Sequence, residues 1–408
     1  MRRTWQAVAA LLGLVLAGCA GSGSTPSGKS SRTTVSAPGV PSTPRAQGAV
    51  SGPWRAWTAS FSAQEGRCGA TAHQIVCRTG SGGLVGRSRV TGEVTWAVPP
   101  TGGGKDAALV VDSADERAVT GSGAILRAAN LRTGTAAWTR RLTDGNAFPA
   151  LAAADGTVYV LETPAKTTGI ITLGAFRASD GRTLWHRTID ADPYGGIAAF
   201  GGRVYTTDGT KVTARDARTG AAVATSPQGV ECPNLISGGH YLVCTGSPYS
   251  AEDTFPPLQR LDPVTLGPLP TAEDTGLKPE RGLISSDGVL VLFEDSAEDP
   301  GAGDWNAYDL VHHRRLWSYA TTTEEAELAG ERFVTFTPVN DAAVRGRVIT
   351  IDLHAGPQAT GAAAPRMSAP YPQTRDGEYP RLVVPGGDSG HVVVQAGTHR
   401  GLRSIPLP

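Results

Sequence analysis

A single short phrase recurs seven times along this 408-residue chain: a small apolar run, then Asp or Asn, then Thr-Gly or a substitute, often with Trp four residues later. The clearest copies are Ala128-Ala129-Asn130-Leu131-Arg132-Thr133-Gly134 with Trp138, and Ala214-Arg215-Asp216-Ala217-Arg218-Thr219-Gly220. The glycine position falls at Gly92, Gly134, Gly181, Gly220, Leu266, His313 and Gly356, at spacings of 42, 47, 39, 46, 47 and 43 residues. Between copies lie short β-branched and aromatic runs such as Thr157-Val158-Tyr159-Val160-Leu161, punctuated by Ala154-Asp155-Gly156 or Phe200-Gly201-Gly202. Such runs read as strands, and Asx and Gly between them are what tight hairpins require. A repeat of this length, one four-stranded blade per copy, predicts an all-β propeller with no helix longer than two turns.

Two positions of the phrase have a physical role. Ser88, Asn130, Asp216, Asp262, Asp309 and Asp352 stand just before a turn, where a side-chain acceptor can bind the next backbone N–H groups. The third copy places Arg177 there. The aromatic position holds Trp96, Trp138, Trp185 and Trp317, each able to cover a neighbouring blade and bury roughly 150–250 Å². Ala224, Pro270 and Thr360 replace it in the other copies, where weaker or different blade contacts are expected.

The pattern Ala-x-Asp-x-x-Thr-Gly-x-x-x-Trp resembles the tryptophan-docking repeat of quinoprotein-like propellers, a family that includes PQQ-dependent dehydrogenases and BamB-type lipoprotein scaffolds. The resemblance extends over most of residues 51–408 and implies an eight-bladed ring. An eighth blade can be assembled from both chain ends. Residues 379–385, 391–395 and 401–406 supply three strands, and residues 54–61, with Trp57 placed as a docking tryptophan, supply the fourth. Joining the termini in one blade leaves no exposed sheet edge at the seam.

The chain opens with Arg2 and Arg3, continues with an apolar run from Val8 to Leu16, and reaches Leu16-Ala17-Gly18-Cys19. This resembles a bacterial lipoprotein signal peptide over residues 1–18, with Cys19 as the lipidated first residue of the mature chain. Residues 19–50 are rich in Gly, Ser, Thr and Pro and read as a disordered tether, with a typical span of about 30 Å. The remaining cysteines are even in number, which in an exported domain favours disulfides. Cys68 with Cys77, and Cys232 with Cys244, each bracket what reads as a hairpin. A metal site with four cysteine ligands would need CxxC spacing, which is absent.

The 37 basic and 37 acidic residues balance. No basic stripe points to nucleic acid, and no second apolar segment points to a membrane span. Five Lys against 32 Arg, with abundant Gly and Ala, suggest a high-GC genome such as that of a Gram-positive actinobacterium. Several candidate motifs have plainer readings. Gly387-Asp388-Ser389-Gly390 reads as a hairpin turn rather than a protease nucleophile turn, and Gly102-Gly103-Gly104-Lys105 lacks P-loop spacing. His312-His313 reads as a solvated turn, and Glu294, Asp295, Glu298, Asp299 and Asp304 as an acidic inter-strand loop. Quinoprotein enzymes carry acidic catalytic residues, calcium ligands and in many members a vicinal cysteine pair. No position here matches those motifs, and no two cysteines are adjacent. The expectation is a monomeric, membrane-tethered, non-enzymatic scaffold on the extracytoplasmic face. It needs no cofactor, is held by lipid on Cys19, and binds exported proteins or cell-envelope components. A quinoprotein-type dehydrogenase and a small-ligand sensor are the alternatives.

Overall fold

The computed structural model describes residues 54–408, apart from 61–64, 72, 80–81, 101–106, 113–114, 143–149, 164–170, 193–194, 247–257, 273–280, 296–301, 338–344, 373–380, 385–389 and 397–400. Cys19, the signal-like segment and the tether lie outside the described residues. So do Gly102 to Lys105, Gly387 to Ser389, Glu298 and Asp299.

The described strands form eight four-stranded antiparallel sheets arranged as the blades of a propeller, plus one two-stranded ribbon joining Arg345–Gly346 to Tyr371–Pro372. Blade 1 runs Glu65–Ala70, Gln74–Thr79, Leu84–Ser88 and Val94–Val98. Blades 2 to 7 occupy 107–141, 150–189, 197–225, 234–269, 281–321 and 327–367. Most sheets follow the chain from a first, inner strand to a fourth, outer one; first strands of successive blades neighbour each other around the ring centre. The one helical element among the described residues is a single 3-10 turn, Gly361–Ala363.

Stacking of blades explains why many strands are apolar on both faces rather than alternating. In the second strand of blade 3, Thr157–Glu162, Val158 and Val160 pack with Val119, Leu126 and Trp138 of blade 2. Tyr159 and Leu161, on the opposite face, pack with Val204 of blade 4. A sheet covered on both sides must bury every residue of its middle strands, and a near-continuous Val/Leu/Tyr run does so.

Blade 8 closes the ring. Its strands are Arg381–Val383, His391–Ala396, Gly401–Pro406 and, from the other end of the chain, Trp57–Ser60. The N-terminal strand is outermost, with Trp57 opposite Ser404 and Ser60 opposite Gly401. Trp54 adds a clasp. Its indole N–H donates to Ser404 Oγ at 2.7 Å, and its ring stacks on the buried His391 at 4.7 Å. Ile75 and Cys77 of blade 1 pack against Val383, Val393 and Leu402 of blade 8, so the seam is a hydrophobic interface as well as a hydrogen-bonded one.

Both cysteine pairs are disulfides. Cys68 and Cys77 sit opposite each other on the first two strands of blade 1, with sulfurs 2.02 Å apart. Cys232 bonds to Cys244 at 2.08 Å, but Cys232 precedes the inner strand of blade 5 rather than lying on it. It bridges instead to Gly209 of blade 4, so this bond also ties blade 5 to the turn region of its neighbour.

Candidate functional site

The repeated phrase builds one seat per blade junction. Trp57, Trp96, Trp138, Trp185 and Trp317 each reach from one blade onto the turn of the next. Their indole N–H groups donate to the carbonyls of Arg89, Leu131, Ala178, Ala217 and Leu353 at 2.8–2.9 Å. That carbonyl lies three residues before the turn glycine each time. The ring covers the glycine itself: a Cβ on Gly92, Gly134, Gly181, Gly220 or Gly356 would lie 2.3–2.7 Å from the tryptophan. All five glycines have φ between +66° and +78°, so both conformation and space exclude a side chain. Opposite Trp96, Trp138, Trp185 and Trp317 within their sheets stand the small residues Gly86, Ala128, Ala175 and Ala307, each followed by a shift of register. That irregularity re-aims the side chain out of the sheet.

Where the tryptophan is missing, the seat is refilled. Blade 4 has Ala224 in that position. The next turn carries Leu266 at φ +59°, fully buried in the cluster that Ala224 packs against. Tyr205 then supplies the missing donor, its hydroxyl meeting the Pro263 carbonyl at 3.0 Å. Blade 5 has Pro270, and Arg260 donates to the Leu310 carbonyl at 2.7 Å. The turn there carries His313 at φ +57°. The two non-glycine turns are thus the two that receive no tryptophan. The corresponding turn after Thr360 lies outside the described residues.

The acceptor position caps each turn. Asn130 Oδ1 accepts from the N–H groups of Arg132 and Thr133, Asp262 Oδ1 from Val264 and Thr265, and Asp352 Oδ1 from His354 and Ala355. In blade 3, where Arg177 stands, Asp180 caps Arg182 and pairs with Arg177 instead. Hydrogen bonds from Thr219 hold the Asp216 carboxyl below the usual carboxylate range, and those from Thr265 do so for Asp262. Burial pushes Asp309 up, but the N–H groups of His312 and Val311 and the His312 ring outweigh it. Because these native values lie below the unfolded one, the caps stabilise fully above the ordinary Asp value of about 3.9 and lose that contribution as pH falls through the native values. Melting temperature is expected to hold steady from about pH 8 to 5 and to drop below about pH 4, with a shallower acid decline in Asp309→Asn. Thermal melts across pH check this; an unchanged acid limb in the variant contradicts it.

A cavity of about 360 Å³ opens among the inner strands of blades 5 and 6 and the segment entering blade 7. Its wall includes Asn234, Ser237, Arg281, Glu324, Glu325 and Glu327, with Trp305 of the third strand of blade 6. The Arg281 guanidinium bridges Glu324 at 3.1 Å and Glu325 at 3.7 Å. The sequence does not reveal this cavity, because its lining residues come from three blades and share no motif.

The histidine pair and the acidic stretch resolve differently from each other. His312 is an exposed turn residue whose Nδ1 lies 2.8 Å from Asp309. The acidic stretch is not one loop. Glu294 and Asp295 end one strand and Asp304 belongs to the next, with Glu294 opposite Asp304. Glu294 is half-buried, accepts from Asn306 at 3.0 Å, and is pushed up by burial. Among the described residues no three His, Cys, Asp or Glu side chains converge to hold a metal ion.

Residues 51–195 match the family model described as PQQ_2, outer membrane protein assembly factor BamB. The chain is an eight-bladed β-propeller with a PQQ-like repeat, similar to BamB in its first blades. BamB from Moraxella catarrhalis is similar at 16% identity and a TM-score of 0.53, over 86% of this chain and 98% of that one. The computationally designed Ika8 protein is similar at 14% identity and a TM-score of 0.60, over 86% and 99%. The quinohemoprotein alcohol dehydrogenase ADHIIG from Pseudomonas putida HK5 is similar at 13% identity and a TM-score of 0.50, over 85% and 72%. No curated protein matches the sequence. The quinone cofactor of such dehydrogenases is a polycarboxylate. Among the described residues the cavity wall carries Glu324, Glu325 and Glu327 with Arg281, an acidic lining that suits a polycarboxylate poorly.

Proposed function

We propose that the chain is an extracytoplasmic scaffold that holds exported proteins or cell-envelope components, tethered by lipid on Cys19 through residues 19–50. The observation that carries this reading is the set of docked seats. Indole, phenol or guanidinium donors pin the turn carbonyls of seven successive blades, making a rigid frame whose loops are free to vary. Its likeness to a family named for outer membrane protein assembly supports a binding role. The Leu16-Ala17-Gly18-Cys19 pattern after the apolar run from Val8 to Leu16 supports Cys19 as the anchor. The Arg-rich, Lys-poor composition favours a Gram-positive actinobacterial cell membrane as the setting.

Cys19→Ala is expected to leave the precursor uncleaved or to release the protein from the membrane fraction; unchanged processing and retention would remove the anchor from the proposal. Crosslinking in intact cells tests the scaffold role. The expected result is capture of the same exported proteins by the wild type and by the untethered variant at lower yield. Capture of nothing beyond abundant bystanders contradicts it.

The dehydrogenase reading draws on the likeness to quinoprotein enzymes and is disfavoured by the charge of the cavity wall. Reconstitution with PQQ and calcium is expected to give neither saturable binding nor alcohol or sugar oxidation. Stoichiometric binding with substrate-dependent turnover would replace the scaffold by the enzyme.

A further inference from the structure

We propose that the outer rim of blades 2 to 4 lies against an anionic bilayer surface. The inference rests on the tethered reading for what brings a bilayer within reach, and on the rim's own residues for the chemistry. In blades 2 and 3 an arginine follows the docking tryptophan two places on. The Arg140 guanidinium donates to the Gly181 carbonyl at 2.7 Å, next to Arg182, and that of Arg187 donates to the Thr219 carbonyl at 3.1 Å, next to Arg218. Two successive blade junctions therefore each carry a pair of exposed arginines. Among the described residues none of these four is in an ion pair, whereas Arg132 and Arg177 of the same blades hold Glu116 and Asp180. The nearby acids are engaged elsewhere. Asp180 accepts from the Arg182 N–H and pairs with Arg177, Asp216 accepts from Thr219, and Asp190 has Lys211 and Arg215 near it. The chain as a whole is neutral, so the positive excess is local to this rim.

Leu184 and Val223 supply the second observation. Each is the extra residue at the register shift of its outer strand, between Thr183 and Trp185 in blade 3 and between Ala222 and Ala224 in blade 4. A bulge residue is left out of the ladder and re-aimed, and these two are 37% and 50% exposed. In blade 1 the same position holds Thr95, which is buried. Aliphatic carbon is thus interleaved along the rim with unpaired guanidinium groups. That combination suits a surface of anionic headgroups over acyl chains: the arginines meet phosphates and the aliphatic side chains enter the interface. A soluble polyanion would engage the arginines and leave Leu184 and Val223 in water.

The test is flotation of the unlipidated propeller with vesicles of equimolar phosphatidylglycerol and phosphatidylcholine, and with vesicles of phosphatidylcholine alone. Thr43–Pro408 is a compact unit containing every described strand, so the outcome does not depend on Cys19. Co-flotation with the anionic vesicles is expected, with little on the neutral ones and loss at high salt. The Arg182 and Arg218 guanidinium groups make no hydrogen bond among the described residues. Arg182→Gln and Arg218→Gln should each weaken binding about fivefold. Leu184→Ser combined with Val223→Ser should weaken it several-fold, and Arg366→Gln, on the outer strand of blade 7, should leave it unchanged. Absence of flotation, equal flotation with both vesicle types, or a loss in Arg366→Gln as large as in the rim variants overturns the proposal. Undiminished vesicle binding by the Leu184→Ser, Val223→Ser protein together with saturable binding of inorganic polyphosphate also overturns it, and assigns a soluble polyanion to the rim. The two vesicle compositions, compared on the unaltered protein, decide the question even if a variant fails to fold. Vesicle binding alongside unchanged processing and retention of Cys19→Ala would remove the anchor and support the rim.

Discussion

Removing residues 54–60 is expected to destabilise the propeller far more than removing residues 20–50. The first deletion strips the outer strand of blade 8, the Trp54 clasp on Ser404 and His391, and the Trp57 seat on Gly92. It also removes the Ser60 carbonyl that accepts from Arg87 at 2.9 Å. The second deletion removes none of these contacts. Trp57 is half-buried, so its loss alone costs about 3 kcal/mol, near the low end for a truncated aromatic. Losing the strand as well bares a sheet edge at the seam, which invites pairing between copies. The expected result is a melting temperature lowered by at least about 10 °C for the first truncation, with aggregation on heating, and no measurable change for the second. Equal melting temperatures would refute the assignment of the N-terminal strand to ring closure.

The second large effect concerns the glycine seats. Gly181→Ala places a Cβ 2.5 Å from Trp138 at a residue with φ +68°. The left-handed conformation alone costs a non-glycine residue about 1–2 kcal/mol, and the clash must in addition push the indole off its seat. Gly202→Ala is the control, since it has φ +71° with nothing within 4 Å of the added carbon. Its cost should be the conformational part alone. We expect Gly181→Ala to exceed Gly202→Ala by about 2 kcal/mol or more, and Trp138→Ala, which empties an 8% exposed site, to cost about 3–5 kcal/mol. At Leu266 the sign reverses. Restoring the repeat's glycine removes a fully buried side chain, so Leu266→Gly should destabilise by about 3 kcal/mol. Denaturant titrations of the four variants measure these differences. A neutral Gly181→Ala, or a Leu266→Gly that stabilises, would show that tryptophan packing does not dictate the turn residue.

Much of the architecture is written locally and is therefore legible in the sequence. The turn caps at Asn130, Asp216, Asp262, Asp309 and Asp352 act on backbone two or three residues ahead. The Cys68–Cys77 bond spans one hairpin. These interactions span few residues, so residue type and spacing suffice to read them. The seats already require the next blade, yet the repeat period carries each tryptophan to its partner and makes them legible too. The acidic stretch misled for the converse reason. Polar residues from 294 to 304 read as a loop, but the pairing of Glu294 with Asp304 is decided by strand register.

Other features belong to the tertiary structure alone. Tyr205 reaches a carbonyl 58 residues away and Arg260 one 50 residues away, and no local pattern distinguishes either from an ordinary strand residue. Leu266 in a glycine position makes sense only once Ala224 is seen to leave its neighbour's seat empty. The cavity beside the ring centre depends on three blades converging, with Arg281 held by Glu324 and Glu325 across the boundary between two of them. Periodic, short-range constraints determined the propeller from the sequence by itself. Compensation between distant residues was decided only by packing, because a close-packed interface fixes how volume and hydrogen bonds are shared, not which blade supplies them.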